Sequence, residues 1–498
     1  MTQRIEYHLE DLLSQVPQQL AALRVSGVCQ DSRCVRPGDL FFARSGTRHR
    51  GVDFIAQAAD KGAVAAIVDS AEVNESEALS FEIPVLRVAD LPTQIGLAAS
   101  RFYGEPSRRM RVIGITGTNG KTSCAHYLAQ AMNQCGRRTA LIGTVGNGFP
   151  GQLREASHTT PDAISLHAEL ARLYAEGAEA VVMEVSSHAL DQSRVAGVQF
   201  AATGYTNLTH DHLDYHGDMQ GYARAKARLF NDYGAPIQVL NADDAEGARL
   251  LAEQCPAGGE RIGFSTRDSS VQVFADRIEL RPQGLMFELR TPWGEVLVAA
   301  PLLGAFNVSN LLLVCAVLGG LGFELSNIAT AMASLESVSG RMERLSVAGA
   351  PTVIVDYAHT PDALKKAIEG VREHMDEQSR LWVVFGCGGD RDMAKRALMG
   401  KIASQGADEV VLTSDNPRSE NPGRIIEMIK DGVGEGVPLH VEPDRATAIR
   451  RSIEQAAPAD LVLLAGKGHE TYQEIDGVRS HFSDQEVALD ALHGRVGQ

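Results

Sequence analysis

The sequence is poor in cysteine, short of basic charge and without a long apolar run. Its 498 residues hold seven cysteines, scattered at positions 29, 34, 124, 135, 255, 315 and 387. An odd number, with no pair at metal-ligand spacing, gives neither a disulfide framework nor a zinc site and points to a reduced, cytoplasmic protein. Lys and Arg number 47 against 63 Asp and Glu, a formal net charge of −16. That balance disfavours nucleic acid and anionic membrane as partners. A small anionic substrate stays open, because a few Arg and Lys can dominate one cleft. The longest apolar stretch, Leu311 to Leu321, falls short of the ~20 residues a bilayer span needs, so no membrane insertion is expected. The N-terminal residues carry no basic-then-apolar signal. There is no low-complexity tract and no repeat with a period of ~20–50 residues.

What is present is a soluble globular composition, 44% apolar, in a chain long enough for about three domains. Residues 116–122 read Thr-Gly-Thr-Asn-Gly-Lys-Thr after the apolar run Met110 to Ile115. Cys124, Leu128, Ala131 and Met132 then fall at helical spacing, with Gly136 placed as a C-cap. Strand, glycine-rich turn, Lys-Thr and helix is an arrangement that cradles nucleotide phosphates. Backbone N–H groups face the phosphates, Lys121 neutralises charge and the Thr122 hydroxyl can bind Mg²⁺. The spacing departs from the common phosphate-loop pattern, which would put glycine where Ile115 stands.

Three segments are expected. Residues 1–88 read as a small α/β domain, with strands at 39–43 and 64–68 and a helix over 54–61. Residues 89–337 read as a parallel sheet with intervening helices, its strands at 111–115, 139–142, 180–183, 202–205 and 237–240, followed by a hairpin addition over 272–300. Residues 338–498 read as a Rossmann-like domain, with strands at 352–355, 381–385, 409–412 and 461–464 and a helix over 362–374.

Ligands of open α/β sheets bind beyond the C-terminal strand ends, and polar residues gather there. Glu184-Val-Ser-Ser-His188 follows one central strand; its carboxylate can bind Mg²⁺ directly or through water, or stand as a solvated acid. Thr206 to His216 follows the next, with three histidines and two aspartates over 210–216, a density that suits a metal or phosphate role. In the last segment four strand ends carry Asp356 to Pro361, Gly386 to Arg391, Ser414 to Arg418 and Gly466 to Glu470. Arg391 and Arg418 can each grip a carboxylate, and Asp415 and Glu470 can accept from an ammonium. An amino acid fits that set. With ATP bound in the middle segment, the chemistry suggested is activation of a carboxylate by phosphorylation, then attack by an amine.

Together these motifs resemble the Mur ligase family over essentially the full chain and in the family's order. Thr116–Thr122 matches its phosphate loop, glycine offset included. Glu184 to His188, Asn207 to Asp214 and Asp356 to Pro361 match its other signatures. Asp415-Asn416-Pro417-Arg418 resembles the mark of the diaminopimelate-adding members. The resemblance implies three α/β domains, for UDP-sugar, ATP and amino acid in turn. It also implies an ATP- and Mg²⁺-dependent enzyme that joins meso-diaminopimelate to UDP-N-acetylmuramoyl-L-alanyl-D-glutamate through an acyl phosphate; the sequence does not give the oligomeric state, and monomer is only the default.

Residue by residue, it implies the uridine nucleotide at Ser32 (with Asp31 and Arg33), Thr47, Arg48 and His49, and the muramoyl-dipeptide at Thr159, Thr160, Ser186, Gln192 and Arg194. It implies ATP at Gly117, Thr118, Asn119, Gly120, Lys121, Thr122 and Ser123, with Asn307 and Arg341. Diaminopimelate falls to Arg391, Asp415, Asn416, Pro417, Arg418, Gly466 and Glu470. The implied catalytic group is Lys121, Glu184, His212 and Lys226, with Mg²⁺ at Thr122, Glu184 and His212. Spacing does not separate His210 from His212; the family pattern selects His212. Lys226 matches the family's carbamylated lysine, although by itself a helical lysine reads as a solvated surface residue. Two rival readings are an amide ligase such as a folylpolyglutamate synthase and a nucleotide-dependent switch. The uridine-site match and Arg418 count against the first, and the four polar strand ends against the second.

Overall fold

The computed structural model describes residues 6–46, 49–73, 81–156 and 158–496. It falls into two compact units, Met1–Phe264 with Ala316–Gly322 and Ser265–Cys315 with Phe323–Gln498.

In the first unit, Gly27–Cys29, Asp39–Phe42, Ala65–Asp69 and Val85–Val88 form a parallel sheet in chain order. Side chains alternate between its faces. Leu40, Phe42 and Ile67 pack with Leu91, Ile95 and Ala98 on one side. Phe41, Ala66 and Val68 pack with Ile55 and Ala58 on the other. Burial on both faces is why these strands read as unbroken apolar runs. The helix expected over 54–61 is present as a 3₁₀ turn, Gly51–Phe54, running into the α-helix Ile55–Asp60.

The central sheet places Thr139–Ile142, Ala180–Glu184, Arg111–Thr116, Phe200–Tyr205, Ile237–Asn241 and Glu260–Ser265 side by side, all parallel. Asn147–Phe149 and Gln152–Arg154 extend the first edge antiparallel. The five expected strands are all there. Their order matters for function. The strand that feeds the phosphate loop has Ala180–Glu184 and Phe200–Tyr205 as its two neighbours, and register pairs Glu184 with Ile115 and Tyr205 with Thr116. The segments after all three strands therefore emerge level with one another.

In the second unit, Val273–Arg281, Gly284–Thr291 and Gly294–Ala300 form a three-stranded antiparallel meander, one strand more than a hairpin. The last sheet runs Glu343–Leu345, Thr352–Asp356, Leu461–Ala465, Leu381–Phe385, Glu409–Leu412, Leu439–Val441, parallel except for the first. Ile354, Val383, Phe385 and Leu463 face one helical layer; Val353, Val355, Val384 and Leu464 face the other. The helix Pro361–Arg372 buries Leu364, Ala367, Ile368 and Val371 at three- and four-residue intervals. Thr360 caps it by accepting from Ala363 N, and Pro361 occupies the first position, where no N–H is required. The architecture is the expected three-domain α/β one: a small N-terminal domain, a central parallel sheet and a C-terminal Rossmann-like domain. No helix among the described residues is long and apolar enough to cross a membrane.

Candidate active site

The phosphate loop turns on Gly117 (φ 145°) and Gly120 (φ 83°) into the helix Lys121–Gln134. A Cβ at Gly117 would lie 1.8 Å from Thr206 Oγ1. The segment after the neighbouring strand pins the loop. Thr206 Oγ1 donates to Asn119 O (2.6 Å) and Asn119 N to Asn207 Oδ1 (3.0 Å). Thr118 N donates to Asn207 O (2.8 Å) and Thr209 N to Thr118 Oγ1 (3.0 Å). With Thr118 N and Asn119 N spent on Asn207, the loop held this way presents the helix N-terminus that follows it in a fixed shape, which fits a string of phosphates.

Two amines meet at one carbonyl here. Lys121 Nζ donates to Gly117 O (2.9 Å) and Thr118 O (2.9 Å), and Lys226 Nζ donates to the same Gly117 O (2.7 Å). Lys226 is not the solvated residue that an isolated helical lysine suggests. It is buried on the inner face of the helix Met219–Asn231, its amine 4.4 Å from the centre of the Tyr222 ring. Burial, reinforced by the charge of Lys121, holds its pKa well below the usual lysine range. The neutral amine thus favoured is the form that can add CO₂ and become a carbamate.

Glu184 is 1% exposed, which removes the solvated-acid alternative. Its Oε1 accepts from Thr144 N (2.7 Å), and its Oε2 from Thr122 Oγ1 (2.8 Å) and Thr144 Oγ1 (3.2 Å). The carboxylate is thereby fixed against the first turn of the phosphate-loop helix. Thr122 and Glu184 supply adjacent oxygen donors, the hard ligands Mg²⁺ takes. Among the described residues no group of three or more His, Cys, Asp and Glu is arranged to hold a metal. His212, left-handed at φ 54°, packs its ring against His188 (4.9 Å) and Tyr222 (6.0 Å) and shares no hydrogen bond with Thr122 or Glu184.

The five residues matched to the muramoyl-dipeptide form one network beside Glu184. Thr160 Oγ1 donates to Glu184 O (2.8 Å) and accepts from Ser186 N (3.1 Å), while Thr159 Oγ1 meets Thr144 Oγ1 (3.0 Å). Arg194 donates to Thr160 O (3.1 Å) and, through Nη2, to Gln192 Oε1 (2.7 Å); Gln192 Nε2 donates to Tyr215 Oη (3.1 Å). Gln192 and Tyr215 also line a cavity of about 1000 Å³ with Ser32, Arg33, Arg44 and His49. The expected dipeptide and nucleotide positions therefore border one space. Ser32 is fixed by Gln57 (2.7 Å), and Asp31 accepts from Arg33 N (2.9 Å) as a turn residue would. Thr47 and Arg48 lie outside the described residues.

In the second unit, the four polar strand ends belong to four strands that are consecutive neighbours in the sheet. They enclose a cavity of about 600 Å³ lined by Arg391, Asp415, Asn416, Arg418, Gly466 and Glu470, together with Tyr357 and His359. Pro417 is absent from that lining. Its carbonyl packs where a Cβ at Gly389 would come within 1.9 Å, so it joins two loops rather than facing the space. Arg418 has φ 50° and is tied at both ends of its backbone, N to Glu474 O (3.0 Å) and O from Asp476 N (2.7 Å), while Nη1 donates to Gly389 O (2.7 Å). Asn416 Nδ2 donates to Glu470 Oε2 (2.8 Å).

Asn307, in the same unit, is buried and bonded to Leu303 O (2.7 Å) and Asn310 Nδ2 (2.8 Å). Arg341 lies over the Tyr357 ring at 4.8 Å, with its buried Nε unpartnered among the described residues. Asp356, which accepts from Met342 N (2.8 Å), has its pKa raised by burial against the pull of Arg341.

Sequence reasoning passed over Asn207, Thr209, Thr144, Tyr222, Tyr357 and Lys467. Asn207 and Thr209 sit in the very segment whose histidines drew attention. Thr144 follows the strand at 139–142, so the rule that found Glu184 reaches it too.

Comparison with known proteins agrees with this arrangement. Residues 24–103 match the Mur ligase family catalytic domain, 115–318 the Mur ligase middle domain and 340–468 the Mur ligase glutamate ligase domain. The chain is 49% identical to the UDP-N-acetylmuramoyl-L-alanyl-D-glutamate–2,6-diaminopimelate ligase of Alkalilimnicola ehrlichii, over 95% of this chain and 96% of that one. It is 48% identical to the protein of the same name from Pseudomonas aeruginosa, over 96% of each. A solved structure of a ligase of that name superposes with a TM-score of 0.77 at 34% identity, covering 99% of this chain and 100% of the other. With its phosphate loop, its buried carboxylate and its three domains all matched, the chain belongs to the Mur ligase family.

Proposed function

We propose that the chain is an ATP-dependent, ADP-forming ligase that joins meso-diaminopimelate to the D-glutamyl carboxylate of UDP-N-acetylmuramoyl-L-alanyl-D-glutamate, a cytoplasmic step of peptidoglycan precursor synthesis. In this reading residues 1–88 take the uridine nucleotide, 89–337 take ATP and 338–498 take the amino acid. The observation that carries it is the cavity of about 600 Å³ at the last sheet, with guanidiniums of Arg391 and Arg418 and carboxylates of Asp415 and Glu470 in its wall. Such a wall suits a ligand bearing both carboxylate and ammonium. Diaminopimelate has one carboxylate more than lysine, and a guanidinium at 418 gives that group a partner.

The loop N–H groups and Lys121 hold the nucleotide phosphates and stabilise charge on the transferring phosphoryl group. A D-glutamyl carboxylate oxygen attacks the γ-phosphorus, the bond to ADP breaks, and an acyl phosphate forms. The diaminopimelate amine attacks its carbonyl carbon, the bond to phosphate breaks, and the amine gives up a proton as the amide forms. Arg194 and the threonines 159 and 160 orient the carboxylate, so positioning supplies much of the rate. We assign Thr122 and Glu184 to Mg²⁺ on their adjacent oxygens, and His212 and the Lys226 carbamate on the family match alone; the ion would neutralise phosphate charge.

Purified protein tests this by phosphate release from ATP. Release should need both the nucleotide-dipeptide and diaminopimelate, with one new product at the summed mass less water. Full release with either substrate omitted, or equal use of lysine, would overturn the assignment.

A further inference from the structure

We propose that Lys467 is a positioning residue of the amino-acid site: its ammonium holds Asp415, Asn416 and Glu470 in the arrangement that receives the ligand's amino group, without meeting the ligand itself. Lys467 has a fully buried side chain and does not line the cavity, yet its Nζ lies 3.1 Å from Asn416 Oδ1, 3.4 Å from Glu470 Oε2 and 3.7 Å from Asp415 Oδ1. Those three acceptors all line the cavity. The lysine therefore stands directly behind the part of the wall that carries negative charge.

The loop is shaped to put it there. Gly466 (φ 117°) and Gly468 (φ 51°) flank it. A Cβ at Gly466 would come 2.9 Å from Asp415 Oδ2, and one at Gly468 would come 2.6 Å from Tyr357 Cβ. Glycine at both positions lets the chain reverse closely enough for the lysine between them to turn inward. The Tyr472 and Phe482 rings, 5.6 and 5.9 Å from the ammonium, complete its surroundings.

Two consequences follow for the wall. Asn416 Oδ1 receives both Lys467 Nζ and Glu474 N (3.0 Å), which leaves its Nδ2 to donate to Glu470 (2.8 Å). The lysine and Glu474 N together fix which end of the amide faces Glu470. With buried Arg445, whose charge also acts on both groups, the lysine offsets the repulsion between Asp415 and Glu470. Burial, with the charge of Arg445, pulls its own pKa down while Asp415, Glu470 and Asp484 oppose the fall. Asp415 and Glu470 still line the cavity, where the ammonium of an incoming amino acid would meet them.

This inference rests on the function proposed above. The test uses full-length Lys467→Met and Lys467→Gln, with each substrate varied in turn and folding checked by circular dichroism. The Michaelis constant for diaminopimelate should rise about tenfold or more in Lys467→Met, the loss expected from one charge-assisted hydrogen bond. Those for ATP and the nucleotide-dipeptide should hold. Lys467→Gln, which keeps a donor for Asn416, should recover part of the loss. Asn416→Ala should cost less in the Lys467→Met background than in the wild type, because both act through one amide. Equal shifts for all three substrates, fully multiplicative effects, or failure of both variants to fold would make Lys467 a structural pin and overturn the inference. Wild-type protein that releases no phosphate with diaminopimelate would instead sink the functional reading on which it rests.

Discussion

Gly117→Ala is the sharpest test of how the phosphate loop is built. The residue has φ 145°, and its added Cβ would lie 1.8 Å from Thr206 Oγ1, 3.0 Å from Thr206 Cβ and 3.1 Å from Asn207 N. Backbone strain at such a φ costs about 1–3 kcal/mol. Relieving the clash displaces the Thr206 hydroxyl and so breaks its bond to Asn119 O, a further ~1 kcal/mol. The total of ~2–4 kcal/mol must appear somewhere. If the loop keeps its shape, the protein loses that much stability. If the loop relaxes, ATP binding falls by about 30-fold to several hundred-fold, at ~1.4 kcal/mol per tenfold. Urea unfolding and calorimetric titration with a non-hydrolysable ATP analogue together capture both. Thr206→Ala added to Gly117→Ala removes the nearer clash and should restore part of the loss. A Gly117→Ala protein within ~0.5 kcal/mol of the wild type in stability and in ATP affinity would refute the steric argument.

Arg418→Lys keeps the charge but not the fork, so the diaminopimelate Michaelis constant should rise about 10- to 100-fold with ATP kinetics unchanged; initial rates with each substrate varied decide it. Lys226 is held toward the neutral amine in the fold, so the unfolded chain binds more protons below pH 10.5 and wild-type stability should climb as pH rises toward that value. Lys226→Met should flatten the climb in urea titrations across alkaline pH while abolishing ligation, and an unchanged slope would refute the assignment. His167, buried with Nε2 against Ala196 O (2.8 Å), has its pKa lowered from 6.5 to about 4 by desolvation. The unfolded chain then takes up the proton first as pH falls through that window, and stability should drop by at most about 3 kcal/mol, a drop His167→Gln removes.

Much of this was legible in the sequence because the parallel sheets are buried on both faces and so announce their strands as apolar runs. Every strand expected in the central and C-terminal sheets is present. The rule that ligands gather at C-terminal strand ends located Glu184 and the four loops of the last domain. What the sequence withheld was sheet order. Nothing in residues 461–465 says that this strand lies between 352–356 and 381–385, yet that insertion is what brings Glu470 beside Asn416. Short edge strands such as Glu343–Leu345 and Leu439–Val441 carry too few residues to show a period. The meander's extra strand, Gly294–Ala300, was concealed for a related reason: exposed positions hold Leu297 and Ala299, so polar and apolar residues do not alternate along it.

The two buried lysines show why side-chain burial was the least legible property of all. Lys226 lies on a helix whose other residues follow an ordinary amphipathic pattern, and Lys467 sits between two glycines that read as a turn. In each case a distant strand end offers the inward side chain an acceptor: the Gly117 carbonyl for Lys226, and Asn416 and Asp415 for Lys467, which Glu470 of its own loop joins. The partners differ in kind, and so does the consequence. A single neutral carbonyl, shared with Lys121, compensates an ammonium poorly and favours the uncharged amine. Two carboxylates and an amide offset the burial of Lys467 only in part, and its pKa is still lowered by desolvation. One lysine thus stands beside the phosphate loop with a single shared carbonyl, and the other behind the amino-acid cavity with three acceptors. A chain with a net charge of −16 still sets Arg391 and Arg418 in the wall of one cavity beyond the strand ends, where local cations can outweigh the overall balance.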